Sequence, residues 1–193
     1  MADRDTPAPD KGADFLEQKA FQSRFIVIAG EINSRLANSV ITRLIALASD
    51  SDAPINMLVS SPGGHVESGD AIHDVVRFIR APVNMIGTGW VASAATHIYL
   101  SVPKERRFAT ENTRFLIHQP SGGGGGTAAD IAIQAREIVK MRERIAREIA
   151  KETGQPIERV REDIDRDYWM SATEAIEYGI VGKIIVRQTE LPG

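Results

Sequence analysis

With 193 residues, 42% hydrophobic and 25% charged, the chain is long enough for one domain with a substantial core and short for two. Its formal net charge of -3 gives no electrostatic reason to bind nucleic acid or an anionic membrane, and the absence of cysteine excludes disulfides, thiol nucleophiles and cysteine-based metal sites. No apolar run approaches the roughly 20 residues of a membrane span, and the start is polar and proline-bearing rather than a signal peptide, so a cytoplasmic location is expected.

Residues 1–14, with Asp3, Arg4, Asp5, Pro7, Pro9, Asp10 and Lys11, have too little apolar surface to bury and read as a mobile arm ahead of a single domain spanning 15–193. Phe25-Ile26-Val27-Ile28-Ala29 reads as a buried strand, and Asn33 as the cap of an amphipathic helix carrying Leu36, Val40, Leu44 and Leu47. The unit repeats: Ile55 to Val59 is a strand ending at Ser60-Ser61-Pro62-Gly63-Gly64, Val66 to Ile79 a helix, Val83 to Gly87 a strand and Val91 to Leu100 a helix. Such alternation implies crossover connections and a largely parallel sheet, with sites where strands end and helices begin. A strand pair, Arg106 to Ala109 and Arg114 to His118, precedes the glycine run Gly122 to Gly126.

One long helix then follows, from Thr127 to Thr153, opened by Thr127 with Asp130 and stopped by Gly154. At about 1.5 Å per residue it extends about 40 Å, more than a small domain can cover. Its stripe of Ile131, Ala135, Ile138, Met141, Ile145 and Ile149 is therefore expected to meet another subunit in part. Ser171-Ala172-Thr173-Glu174 opens a last helix that Gly179 closes, and Lys183 to Val186 supplies a final strand.

Ser93 falls where the Val83 strand gives way to a helix, so unpaired N–H groups and the positive helix end favour a developing negative charge. The Ala94 N–H is one candidate oxyanion donor. Gly64 is the second, because a glycine pair permits close approach and unusual dihedrals. A serine hydroxyl needs a base, and four histidines compete. His73 reads as a packing or surface residue of its helix, and His65 adjoins the glycine turn. His97 stands four residues beyond Ser93 on the same helix but has no orienting acid nearby in sequence. His118 closes an apolar strand just before Gln119-Pro120, a rigid strand end from which a side chain enters a cleft, and is the strongest candidate. Of the acids Asp163, Asp165 and Asp167, the last adjoins Tyr168-Trp169-Met170, where the charge run meets the core. Serine, imidazole and carboxylate are together the parts of an activated nucleophile.

Several motifs match one family jointly: Ser61-Pro62-Gly63-Gly64, Gly89-x-x-Ala92-Ser93, Ile117-His118-Gln119-Pro120 with the glycines after it, Ala135-Arg136-Glu137-Ile138, and Arg166-Asp167 followed by Ser171-Ala172-x-Glu174-Ala175-x-Glu177-Tyr178-Gly179. Over roughly Phe15 to Arg187 the chain resembles the ClpP family, the proteolytic subunits of the Clp protease. The resemblance implies an α/β fold, a crotonase-type spiral of strand-strand-helix units with a protruding handle helix at 127–153. It implies a serine endopeptidase that cleaves unfolded polypeptides or short peptides, with catalytic Ser93, His118 and Asp167 and oxyanion donors at the Gly64 and Ala94 backbone. It also implies self-association into two stacked seven-membered rings, and a separate AAA+ unfoldase as energy-consuming partner.

No cofactor is expected: the chain has no Gly-x-x-x-x-Gly-Lys-Ser/Thr sequence, and the glycine run lacks the lysine of a phosphate-binding loop. Four features depart from the family pattern. The N-terminal arm lacks an apolar axial-loop sequence, Asn56 and Leu58 stand where aromatic residues are common, Trp90 lies close to the serine, and His65 follows the glycine pair. Rival readings are a crotonase-type acyl-CoA enzyme, which needs no Ser-His-Asp set, a non-catalytic ring subunit working with an active paralogue, and a membrane-anchored peptidase, disfavoured by the lack of a span.

Overall fold

A computed structural model describes residues 11–123 and 125–192. The first helix, α1 (Lys11–Gln22), begins inside the segment read as an arm, while residues 1–10 lie outside the described residues. The order continues β1 (Phe25–Ala29), α2 (Ser34–Asp50), β2 (Ile55–Ser61), α3 (Val66–Phe78), β3 (Val83–Ala92), α4 (Ala94–Tyr99), β4 (Arg107–Ala109), β5 (Arg114–Ile117), α5 (Ala128–Thr153), α6 (Ile157–Asp163), β6 (Tyr168–Ser171), α7 (Ala172–Tyr178) and β7 (Lys183–Ile184).

The strands form one seven-stranded sheet in the order β1-β2-β3-β4-β7, with β5 branching from β3 and β6 lying against β5. Every pairing is parallel except β5 with β6, which is antiparallel. Parallel neighbours require a crossover segment, and the amphipathic helices supply it. α2 turns Ala37, Val40, Leu44 and Leu47 inward, and its first turn is closed by the Asn33 side chain, which accepts from the Leu36 N–H. The β2 residues Ile55, Met57 and Val59 and the α3 residues Ile72 and Val76 join the same core.

Two elements differ from the sequence reading in a way that matters for function. β3 does not stop at Gly87 but continues to Ala92, and the α4 helix starts only at Ala94. The strand bends within itself: Gly89 takes φ +61, the β2 register shifts between Val59 and Ser61, and residues 90–92 leave β4 to pair with β5. Likewise the two strands read as a pair do not pair with each other. β4 pairs with β3 and β7, whereas β5 pairs with β3 and β6. The end of β3 is thereby placed directly beside β5.

α5 is opened by the Thr127–Asp130 capping box and closed by Gly154 at φ +77. Its C-terminal part packs on the body through Ala146 and Ile149, but Ala128 to Glu137 are exposed at every position. This leaves the first half of the apolar stripe uncovered within one chain.

Candidate active site

Ser93 joins the end of β3 to α4 with φ 57 and ψ -122, a backbone conformation that a residue with a side chain seldom adopts. Its N–H donates to the Leu116 carbonyl at 3.0 Å, and the Thr96 hydroxyl bonds the Val91 and Leu116 carbonyls at 2.8 and 2.9 Å. The strained turn is thus held from both sides and presents the hydroxyl at the sheet edge. Gly63 packs against its reverse side, so closely that a Cβ there would stand 2.7 Å from Ser93 Cβ and from the Ala92 carbonyl oxygen.

β5 carries the imidazole and β6 the carboxylate. In the antiparallel register Ile117 faces Tyr168, so the next pair beyond the ladder is His118 with Asp167. His118 Nδ1 lies 3.0 Å from Asp167 Oδ1, and His118 Nε2 lies 2.7 Å from Ser93 Oγ. With a carboxylate accepting at Nδ1, that nitrogen carries the proton and Nε2 is left to accept from the serine hydroxyl. The three side chains therefore leave the ends of three neighbouring strands and meet in one hydrogen-bonded line. The other two candidate acids are engaged elsewhere: Asp163 accepts from the Tyr178 hydroxyl at 2.8 Å and Asp165 pairs with Arg142 at 3.1 Å.

Gly64 has φ +144 and forms an isolated parallel bridge with Ile32, against whose carbonyl oxygen a Cβ would collide. The His65 N–H donates to Ile32 at 2.8 Å, so in this extended segment the Gly64 N–H points to the opposite side. Ala94 is the first residue of α4, whose N–H has no partner within the helix. No backbone acceptor among the described turns and loops takes either N–H.

The remaining histidines do not reach the serine. His65 is solvent-facing, bonded to Ser68 Oγ at 2.9 Å and close to Glu67. His73 is buried within α3. His97 points its Nε2 at Asp70, 2.9 Å away, so the acid that the local sequence does not offer this histidine is supplied by α3. Sequence spacing could not reveal that partner, because Asp70 lies on the helix before. Trp90 does not line the pocket beside Ser93 but stacks on Trp169, with ring centroids 6.5 Å apart, and the Arg114 guanidinium sits 4.3 Å over the Trp169 ring. That pocket is formed by Ser93, Ala94, His97 and His118 together with apolar side chains of α3, β5 and α5, including Val66, Ile117, Ile145 and Ile149. Among the described residues no cluster of His, Asp and Glu has the arrangement of a metal site, and no helix is long and apolar enough to cross a membrane.

A mixed sheet that brings a serine, a histidine and an aspartate into one hydrogen-bonded line has the geometry to activate a hydroxyl nucleophile, as hydrolases do. The chain belongs to the Clp protease family, whose model matches residues 10–188. It is 57% identical over 175 residues to ATP-dependent Clp protease proteolytic subunit 3 of Rhizobium etli, covering 91% of this chain and 90% of that protein. It is 59% identical over 178 residues to the proteolytic subunit 2 of Gluconobacter oxydans, covering 91% of this chain and 80% of that one. Among solved structures, ClpP1 from Listeria monocytogenes superposes with a TM-score of 0.83 at 48% identity, covering 92% of this chain and 99% of that chain. A mutant of the same protein gives 0.85 at 49% identity, covering 90% and 98%. The α/β fold of the ClpP type is that of this chain, and the acyl-CoA reading is not favoured.

Proposed function

We propose that the chain is a serine-type endopeptidase subunit of a Clp protease, with Ser93 as nucleophile, His118 as base and Asp167 as its orienting acid. The observation that carries the reading is the continuous line from Asp167 Oδ1 through both ring nitrogens of His118 to Ser93 Oγ, at 3.0 and 2.7 Å. Ser93 Oγ attacks the peptide carbonyl while its proton passes to His118 Nε2, and the tetrahedral oxyanion is received by the Gly64 and Ala94 N–H groups. His118 then protonates the leaving amine. Water, deprotonated by the same nitrogen, hydrolyses the acyl-enzyme and restores the hydroxyl. Nothing in this cycle calls for a metal or cofactor.

The exposed half of α5 supports self-association, and the family resemblance gives it the form of two stacked seven-membered rings with an AAA+ unfoldase supplying unfolded chains. The names of the relatives, ATP-dependent Clp protease proteolytic subunits, support that partnership, since this sequence contains no phosphate-binding loop of its own. A cytoplasmic place of action is part of the same reading. The test is covalent labelling with a fluorophosphonate. The wild-type chain should gain one adduct on the peptide containing Ser93, and Ser93→Ala should gain none while keeping its circular dichroism. An adduct on a different residue overturns the assignment.

A further inference from the structure

Behind the triad, two imidazoles that the proposed chemistry leaves unused are packed face to face. His73 of α3 and His97 of α4 are both buried, with ring centroids 4.4 Å apart and planes within 9°. His97 Nε2 lies 2.9 Å from Asp70 Oδ1, and Asp70 in turn receives both Nη atoms of Arg144 from α5, at 2.9 and 2.6 Å. Burial pushes the Asp70 carboxyl up, but the bonds from His97 and Arg144 outweigh it and hold its pKa at about 2. Asp70 is therefore a carboxylate at neutral pH, and His97 donates to it through Nε2. His97 Nδ1 is buried without a partner.

His97 is also a wall of the pocket that begins at Ser93 and His118, together with Val66, Ala94, Ile117, Ile145 and Ile149. The residue that supplies the acyl group is held with its carbonyl against Ser93 Oγ, so its side chain must be lodged beside that atom. The cavity there is partly open and small, about 30 Å³, on the order of the space for one or two water molecules. The Ile145 and Ile149 side chains, whose branched Cβ holds χ1 on a helix, keep freedom mainly at χ2. The His97 ring cannot turn away without breaking its bond to Asp70 and its stack on His73, while Asp70 is itself fixed by its two bonds from Arg144.

We propose that His97, clamped by Asp70 and backed by His73, is the specificity-determining residue of this pocket and restricts the acyl-side residue of the substrate to a small, uncharged side chain, alanine-sized rather than leucine-sized. The inference rests on the reading of Ser93 as the nucleophile. Arg144 extends the clamp to α5, the helix that also contributes Ile145 and Ile149 to the pocket, so the size limit is built from three helices and not from His97 alone.

Peptidyl diphenyl phosphonates that differ only in the acyl-side residue (Ala, Val, Leu, Phe) test it on the assembled protein. Ser93 Oγ bonds to phosphorus, phenoxide departs and His118 takes the hydroxyl proton, so the rate of mass gain at Ser93 reads pocket fit without turnover. Wild type should react with the Ala probe at least about tenfold faster than with the Leu probe, the scale on which an apolar pocket separates side chains of different length. His97→Ala should reverse that order, and Asp70→Asn, which loosens the ring at nearly constant volume, should narrow the ratio. Equal wild-type rates for Ala and Leu, or a ratio untouched by His97→Ala, overturn the proposal. The wild-type series decides even where a variant fails to fold. If no probe modifies Ser93, the proposed function falls and this inference with it; modification at rates indifferent to side-chain size overturns this inference alone.

Discussion

Asp167 is the most exposed member of the line, with 63% of its side chain accessible against 26% for His118. Its contribution to stability is correspondingly small, since an exposed pair gains little over solvation by water. Its part in the proposed chemistry is different in kind, because a carboxylate at Nδ1 selects the tautomer that leaves Nε2 free to accept from Ser93. Asp167→Asn is therefore expected to lower kcat/KM for a fluorogenic peptide by about 10²- to 10⁴-fold, the upper figure being that for a buried triad acid, with the midpoint of thermal unfolding nearly unchanged. A parallel fall in stability would mean the side chain is structural. At the back of the site the same logic applies to a residue with no functional group at all. Gly63→Ala places a methyl 2.7 Å from Ser93 Cβ and 3.1 Å from the Ala94 nitrogen at a backbone φ of +93. It should therefore shift Ser93 and the Ala94 N–H, the proposed nucleophile and one proposed oxyanion donor, together. Fluorophosphonate labelling of Gly63→Ala is expected to slow at least about tenfold, and a normal labelling rate would show that the serine turn tolerates displacement.

At the level of elements, the site exists because β5 has different neighbours on its two sides. β3 delivers Ser93 in parallel and β6 delivers Asp167 in antiparallel, so His118 at the end of β5 meets both. The serine, the imidazole and the acid were legible in the sequence because each sits at a change of pattern: a small-residue stretch after a strand, an apolar strand before Gln119-Pro120, and a charge run meeting Tyr168-Trp169-Met170. β6 itself was not legible. Four residues enclosed between an acidic run and a capping box carry no periodicity, and only pairing with β5 makes them a strand. The extension of β3 to Ala92 was hidden for a related reason, since Gly87 and Gly89 look like a stop until a second partner strand lies alongside. The long α5 could be read with its caps, because capping boxes and a terminal glycine are local chemistry.

The helix layer also carries a pH dependence. Burial, and after it the neighbouring His97, lowers the pKa of His73 below 6.5, against the smaller upward pull of Asp74 on its own helix and Glu148 of α5; Arg77 of α3 adds to the lowering. The unfolded chain then binds a proton that the folded chain resists. Stability is complete above about pH 6.5 and is lost as pH falls from there toward the lowered value. His73→Phe, which keeps an aromatic ring against His97, should flatten the fall in urea-unfolding free energy between pH 7 and pH 5 relative to wild type. An identical slope in both proteins would show that His73 does not bear the linkage.

On the scale of the whole molecule, the single chain is incomplete in one direction. Ala128 to Glu137 is a helix with no cover, and Ile131, Ile133 and Val139 remain about half exposed or more, at 49%, 51% and 66%. An isolated helix of such length is marginal in water, so a partner covering this stretch would add to its stability. Exposed apolar side chains on a helix projecting beyond the body suit a symmetric contact with another copy of the chain, which is the association proposed for stacked rings. Ile131→Lys combined with Val139→Lys replaces that surface by charge at sites where one chain loses little, on the order of 0.5 kcal/mol each. Native mass spectrometry should then show the large assembly giving way to smaller species, and peptide hydrolysis should fall with it, because the segment leading into the projecting helix runs back along the chain to Pro120, which lines the pocket beside His118. An unchanged assembly would assign these exposed residues to some contact other than self-association. Dissociation with full activity would separate ring stacking from the geometry of the triad.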